Sequence, residues 1–164
     1  MANYPSQSKV GVDLNNPGST QLFALGEMCE GTNGSVWVYV EAGTAITAYK
    51  CVAIPGTYTC GMASATDILK GSRLGYAQSA FTSGQFGWVP IAGGTFGVLT
   101  TGSVSLSTQI SVAASSLTTG TTSTVTTGSG TIQGLVFVSV AQTASATVSG
   151  AVLSFPKPLL NHQG

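Results

Sequence analysis

The placement of charge constrains this chain most. Nine of its ten Asp, Glu, Lys and Arg residues lie at or before Arg73, and only Lys157 follows. The second half must fold with almost no ionic groups, and Ser, Thr and Gly stand in their place. Val104, Leu106, Ile110 and Val112 share one parity there with small polar residues between them. That alternation is the period of a half-buried strand. No amphipathic helical period of useful length occurs anywhere. Charged residues make up 6% of the chain and net charge is zero, against about 25% charged in ordinary soluble domains. Neutral surfaces promote association, so the composition points to a chain that lives against copies of itself or a partner.

The same totals exclude several roles. A nucleic-acid binder needs a basic footprint, and there is none. A membrane-spanning helix needs about 18 consecutive apolar residues, whereas the longest apolar pieces, 36–40 and 135–138, are strand-sized. The first residues have no apolar h-region of the secretory kind, so the expectation is synthesis in a cytoplasm. With 164 residues, the length suits one domain.

In chain order, 1–21 is polar and rich in turn formers, with Asn15, Asn16, Pro17 and Gly18 as a strong turn; it reads as an extended N-terminal arm or long loop. The core domain is expected over 22–158, with a sub-boundary near 94–103, and 159–164 as a C-terminal tail. Asn33 and Gly34 predict a hairpin turn ahead of a strand carrying Trp37 and Tyr39. Residues 46–54 and 57–62 read as strands about a Pro55, Gly56 turn. A two-residue loop there would set Cys51 opposite Cys60, within reach of a disulfide, while a cytoplasmic origin favours thiols. Thr66 or Asp67 would cap a short helical turn. Residues 74–81 and 86–91 read as a hairpin turning at Gly84, with Pro90 marking an edge or strand end. The Thr/Ser/Gly-rich stretch 118–131 reads as a loop. Residues 132–140 and 146–155 read as final strands, the last stopped by Pro156 and Pro158. The predicted fold is mainly β: an antiparallel sandwich or barrel-like domain with little helix.

Chemistry-bearing patterns are sparse. The one histidine, His162, is close to the end of the chain, a poor place for a positioned imidazole. Glu27 and Glu30 flank Cys29 but read as charges that protect a strand edge. Cys29, Cys51 and Cys60 lack metal-site spacing. Asp13, Asn15 and Asn16 do not match a calcium loop. Trp37, Tyr39, Phe81, Phe86 and Trp88 are candidate core or interface anchors. Exposure of Trp37 or Trp88 would instead favour a sugar-binding groove. Lys70 and Arg73 are the candidate contacts for an acidic partner surface. No catalytic, metal or cofactor residue is assigned.

Three blocks carry a resemblance. The first runs from Leu25 and Gly26 to Asn33, Gly34, Ser35 and on to Val40. The second takes in Gly75, Tyr76, Phe81, Phe86, Gly87, Trp88 and Gly93. The third pairs Ile132, Gln133 and Gly134 with Leu153, Ser154, Phe155 and Pro156. Together they resemble the small β-rich head decoration (cement) proteins of tailed bacteriophages. The resemblance implies a non-enzymatic virion protein on the capsid exterior. It would bind the major capsid protein as a homo-oligomer, commonly a trimer, and need no cofactor. A tail or fibre protein that binds carbohydrate is the alternative.

Overall fold

The computed structural model describes residues 12–31, 34–64, 67, 72–101, 109–111, 122–123, 131–137 and 147–159. They form ten strands: β1 (Met28–Glu30), β2 (Val36–Ala42), β3 (Cys51–Ile54), β4 (Thr59–Met62), β5 (Arg73–Tyr76), β6 (Phe86–Thr101), β7 (Gln109–Ser111), β8 (Thr122–Ser123), β9 (Thr131–Phe137) and β10 (Thr147–Leu159). No helix is among these elements. The strands follow the order β5-β3-β4-β2-β6-β10-β9-β7, with β1 added beside β2 and β8 beside β6. The expected mainly β, barrel-like architecture is what the chain adopts. It is a curled, open half-barrel, because the path ends at β5 and β7 instead of closing. Val104, Leu106, Val112 and most of 118–131 lie outside the described residues.

β6 is the longest element, and its middle is bent. Its first half pairs antiparallel with β2, Val38 against Val89 and Tyr39 against Trp88. Its second half pairs antiparallel with β10, Val98 against Ser149. Between them Gly93 and Gly94 have φ of 65° and 60°, a region that side chains with a Cβ resist. The β10 register skips a residue at this point, from Thr95 to Gly93, which is the signature of a bulge. A side chain at Gly93 would also meet the Gly34 carbonyl oxygen at 2.1 Å. Two glycines thus let the β1–β2 hairpin tip sit against the bend.

β2 is covered on both faces, which explains its unbroken apolar run. Val38 and Val40 join Ile46, Val52, Ile54, Phe81, Val89 and Ile91 in one buried cluster. Trp37 and Tyr39 join Cys51, Leu74, Tyr76, Trp88 and Phe96 in the other. Trp37 also donates its indole N–H to the Ser35 hydroxyl at 2.7 Å. The curl brings β5 against β6: at Gly75 a side chain would meet Val89 at 2.6 Å and the Pro90 carbonyl at 2.9 Å. Gln78 then stitches the layers. Its amide nitrogen donates to the carbonyls of Tyr76 (3.0 Å) and Gly97 (3.1 Å), and its amide oxygen accepts from the Gly97 N–H (3.0 Å). The side chain here takes the place of a neighbouring peptide group.

Several expectations are corrected. Residues 74–81 and 86–91 do not pair with each other: β5 pairs with β3, and Phe81 bridges to Ile46. The turn between them is present, with Gly84 at φ 80° and the Gln85 N–H donating to the Thr82 carbonyl at 3.1 Å. Pro90 is inside a strand, at a second bulge where Trp37 faces Pro90 but Val36 faces Ala92; a bulge relieves the ladder of its missing N–H. Pro156 and Pro158 do not end β10 either. Pro156 falls in the irregular stretch between Leu153 and Lys157, and Pro158 pairs with Ile132 past the last β6 partner, Ser154. β10 therefore runs to Leu159, past the predicted strand end. The turn after β4 is capped by Ser64: its N–H donates to the Asp67 carboxylate (3.0 Å), and its hydroxyl accepts the Asp67 N–H (3.3 Å). That reciprocal pairing is a capping box, and Thr66 lies outside the described residues.

Gly93→Ala is expected to lower stability by about 2–5 kcal/mol, the sum of left-handed backbone strain and overpacking. At Gly84 the space beyond the Cα is open, so Gly84→Ala should lose only about 1–2 kcal/mol. Urea denaturation of both variants checks the difference.

Candidate functional site

The aromatic anchors converge where the N-terminal segment crosses β2 and β6. Residues 12–25 lie as a strap over this face. Gly18 pairs with Phe86 through two backbone hydrogen bonds, 2.9 and 2.8 Å. The Ser79 hydroxyl donates to the Asn15 carbonyl, and the Leu22 N–H donates to the Tyr39 hydroxyl at 3.0 Å. Phe23 wedges between two rings, its centroid 5.3 Å from both Tyr39 and Trp88. Tyr39 and Trp88 meet edge to face at 5.1 Å, and Tyr39 stacks on Phe86 at 6.5 Å. These are favourable geometries for aromatic pairs. Part of the predicted arm is therefore docked on the domain; residues 1–11 lie outside the described residues.

Beside the strap is a cleft of about 310 Å³, lined among others by Val12, Pro17, Leu22, Phe23, Phe86 and Trp88. Its floor is largely closed. Trp88 is 4% exposed and Tyr39 3%, with Phe86 half-buried. Trp37, 5% exposed, packs on Phe96 at 5.4 Å, in a separate aromatic pair. Phe81 belongs to the other cluster, under Gly87. Neither tryptophan has the exposed face that a glycan platform requires. Of the five predicted anchors, four are thus buried core residues and Phe86 is half-buried at the strap. Phe23 is the member that sequence reading missed; the apolar pair Leu22 and Phe23 directly after a polar turn was its signal.

Arg73 is exposed at the start of β5, where it pairs with Ile54, and Lys70 lies outside the described residues. Glu30 is exposed on β1, a strand off the main path of the sheet. Glu27 accepts the Ala24 N–H at 3.2 Å and so shapes the turn into that strand. Among the described residues, no cluster of three His, Cys, Asp or Glu side chains is placed to hold a metal ion.

The expected pairing of Cys51 with Cys60 is overturned. The loop after β3 is longer than two residues: the Tyr58 N–H donates to the Pro55 carbonyl at 3.0 Å, and Tyr58 has φ 59°. Val52 consequently faces Met62, and Ala53 faces Gly61. Shifting a register by an odd number of residues sends side chains to opposite faces. Cys51 enters the Trp37 cluster and Cys60 the Val38 cluster. All three cysteines are buried free thiols. Burial pushes the Cys51 thiol up to about 12, with the adjacent Tyr76 hydroxyl pulling it partly back. Burial also pushes Cys60 up to about 12; its thiol donates to the Glu41 carbonyl at 3.2 Å. Tyr76 is raised well above the ordinary phenol range, first by burial and then by Cys51. Its buried hydroxyl lies beside that thiol without a hydrogen bond of normal geometry.

No family model matches the chain, and no curated protein matches it.

Two outcomes follow from the buried thiols. Native protein should react far more slowly with a thiol-specific reagent than unfolded protein, in which all three cysteines label. Stability should also fall at high pH. Each of the two thiols is neutral in the fold up to about 12 but ionises near roughly 8.5 in an unfolded chain. Their contribution is complete below that lower value and is lost as pH climbs toward the upper one. Denaturant midpoints measured from pH 7 to 11 would show the decline, and Cys51→Ala with Cys60→Ala should flatten it.

Proposed function

We propose that this chain is a non-enzymatic structural protein of a phage head, a decoration protein that binds the outer capsid surface. One observation carries the reading: the sheet is open, and its ends at β5 and β7 belong to a chain with only ten charged residues and no net charge. Monomeric β proteins shield such edges with charges, prolines or bulges. In this chain β5 carries a charge, Arg73, at its start, whereas β7 carries none and the long β6 and β10 half contains Lys157 alone. Closed association with copies of itself would cover the edges and stop further growth. A homotrimer is the form that the resemblance to phage cement proteins favours. Repetition over a lattice of major capsid protein then multiplies weak contacts into firm attachment. The chain would be made in the host cytoplasm and end on the capsid exterior. Arg73, exposed at an end of the sheet, is the described residue best placed to meet an acidic capsid surface.

Sedimentation equilibrium of purified protein should give an oligomer at micromolar concentration. Tagged protein should co-sediment with expanded capsids of the phage that encodes it. Arg73→Glu should weaken that binding about tenfold or less, the worth of a single exposed charge. A strict monomer without affinity for the shell would refute the reading.

A further inference from the structure

One edge of β6 has a gap beside the strap. The Tyr39 N–H donates to the Glu27 carbonyl, and the Tyr39 carbonyl accepts the Gly26 N–H, both at 2.8 Å. Tyr39 thus spends its backbone groups on the β1 side, away from β6. In an antiparallel ladder this makes Tyr39 and Trp88 a non-hydrogen-bonded pair. The Trp88 N–H and carbonyl then point to the opposite edge of β6. That edge is taken by Gly18 at Phe86 and by β10 from Ala92 onward. Among the described residues, no strand or bridge pairs with 87–91 on that side. The strap does not fill the gap. Continued antiparallel from Gly18, it would set Asn16 opposite Trp88, but the chain turns away at 13–16, where the Asn15 N–H donates to the Asp13 carboxylate at 3.0 Å.

The cleft of about 310 Å³ opens at this point, with Asn16 and Trp88 both in its lining. Leu22, also in the lining, is 74% exposed. An unpaired strand edge beside an apolar wall is the arrangement to which an extended peptide adds: its backbone pairs with the edge, and its alternate side chains enter the wall. The chain's own first residues fit that description. Val12 lines the cleft as well, so residues 1–11 join the described fold at its wall. Extended, they reach about 36 Å, against roughly 20 Å from Phe86 to Ala92. Tyr4, Ser6, Ser8 and Val10 share one parity and carry no charge, and Lys9 falls on the other. A strand of that pattern lays an uncharged face on the cleft and leaves its ammonium in water. Tethering next to the site also gives this segment a high effective concentration.

We propose that residues 1–11 add as a further strand to the 87–91 edge of β6 in the same chain, filling the cleft and pairing with the Trp88 N–H and carbonyl. The inference does not depend on the homo-oligomeric reading above. Amide hydrogen exchange of the full chain, followed by NMR, tests it at the Trp88 N–H. In wild type that amide should exchange at least about a hundredfold more slowly than an unprotected one. A Gln7→Pro, Ser8→Pro double variant loses a backbone donor at each parity, and Trp88 exchange should speed up at least about tenfold in it. The Val38 and Val40 amides, which lie in the β2–β6 ladder, should keep their wild-type rates and so report an intact fold. A free peptide of residues 1–11 added to the double variant should restore protection. Equal Trp88 rates in wild type and variant would overturn the proposal. So would an unprotected Trp88 amide in wild type, a result that needs no variant. Protection that vanishes on dilution to monomer would assign the edge to a second copy, and protection that appears only on capsids would assign it to the capsid protein; either would overturn pairing within one chain.

Discussion

Everything in this fold passes through the bend in β6. A single strand cannot serve two differently oriented partners unless its backbone turns, and Gly93 and Gly94 supply that turn with positive φ. One half of β6 then belongs to β2 and the other to β10. The charge-bearing first half of the chain and the neutral second half meet in one sheet because of it. The bend also seats the hairpin tip at Gly34, which packs directly on Gly93.

Once the sheet has curled, its layers need polar closure as well as apolar contact. Buried backbone groups left unpaired are costly. β6 has β10 on one side near Gly97, and its remaining groups there are met by the Gln78 amide and the Tyr49 carbonyl. Side chain and loop thus replace a missing strand. The same economy recurs at the strap, where Gly18 pairs with Phe86 and the Tyr39 hydroxyl receives the Leu22 N–H. The aromatic stretch around Trp88 therefore acts as a platform for the chain's own N-terminal segment. Its chemistry is packing.

What was legible in the sequence was local. The poverty of charge, the strand-forming run at 36–40 and the turn residues Gly34 and Gly84 were enough to specify a mainly β chain. Aromatic residues on strands read as anchors, and most of them proved to be core. These features depend on a few adjacent residues, and neighbours in sequence decide them. Tertiary structure alone decided which strands pair and in what register. Residues 74–81 and 86–91 look like a hairpin, yet they pair with β3, Ile46 and β2 because burial against distant strands outweighs a local turn. Pro90, Pro156 and Pro158 look like strand breakers, but bulges and one-sided pairing absorb them. Cys51 and Cys60 look like partners, but a longer loop changes the parity and parts them between two cores. The physical reason is common to all three. Side chains alternate with a period of two, so one extra residue in a loop or bulge reverses every face, and only the assembled sheet determines where those residues fall.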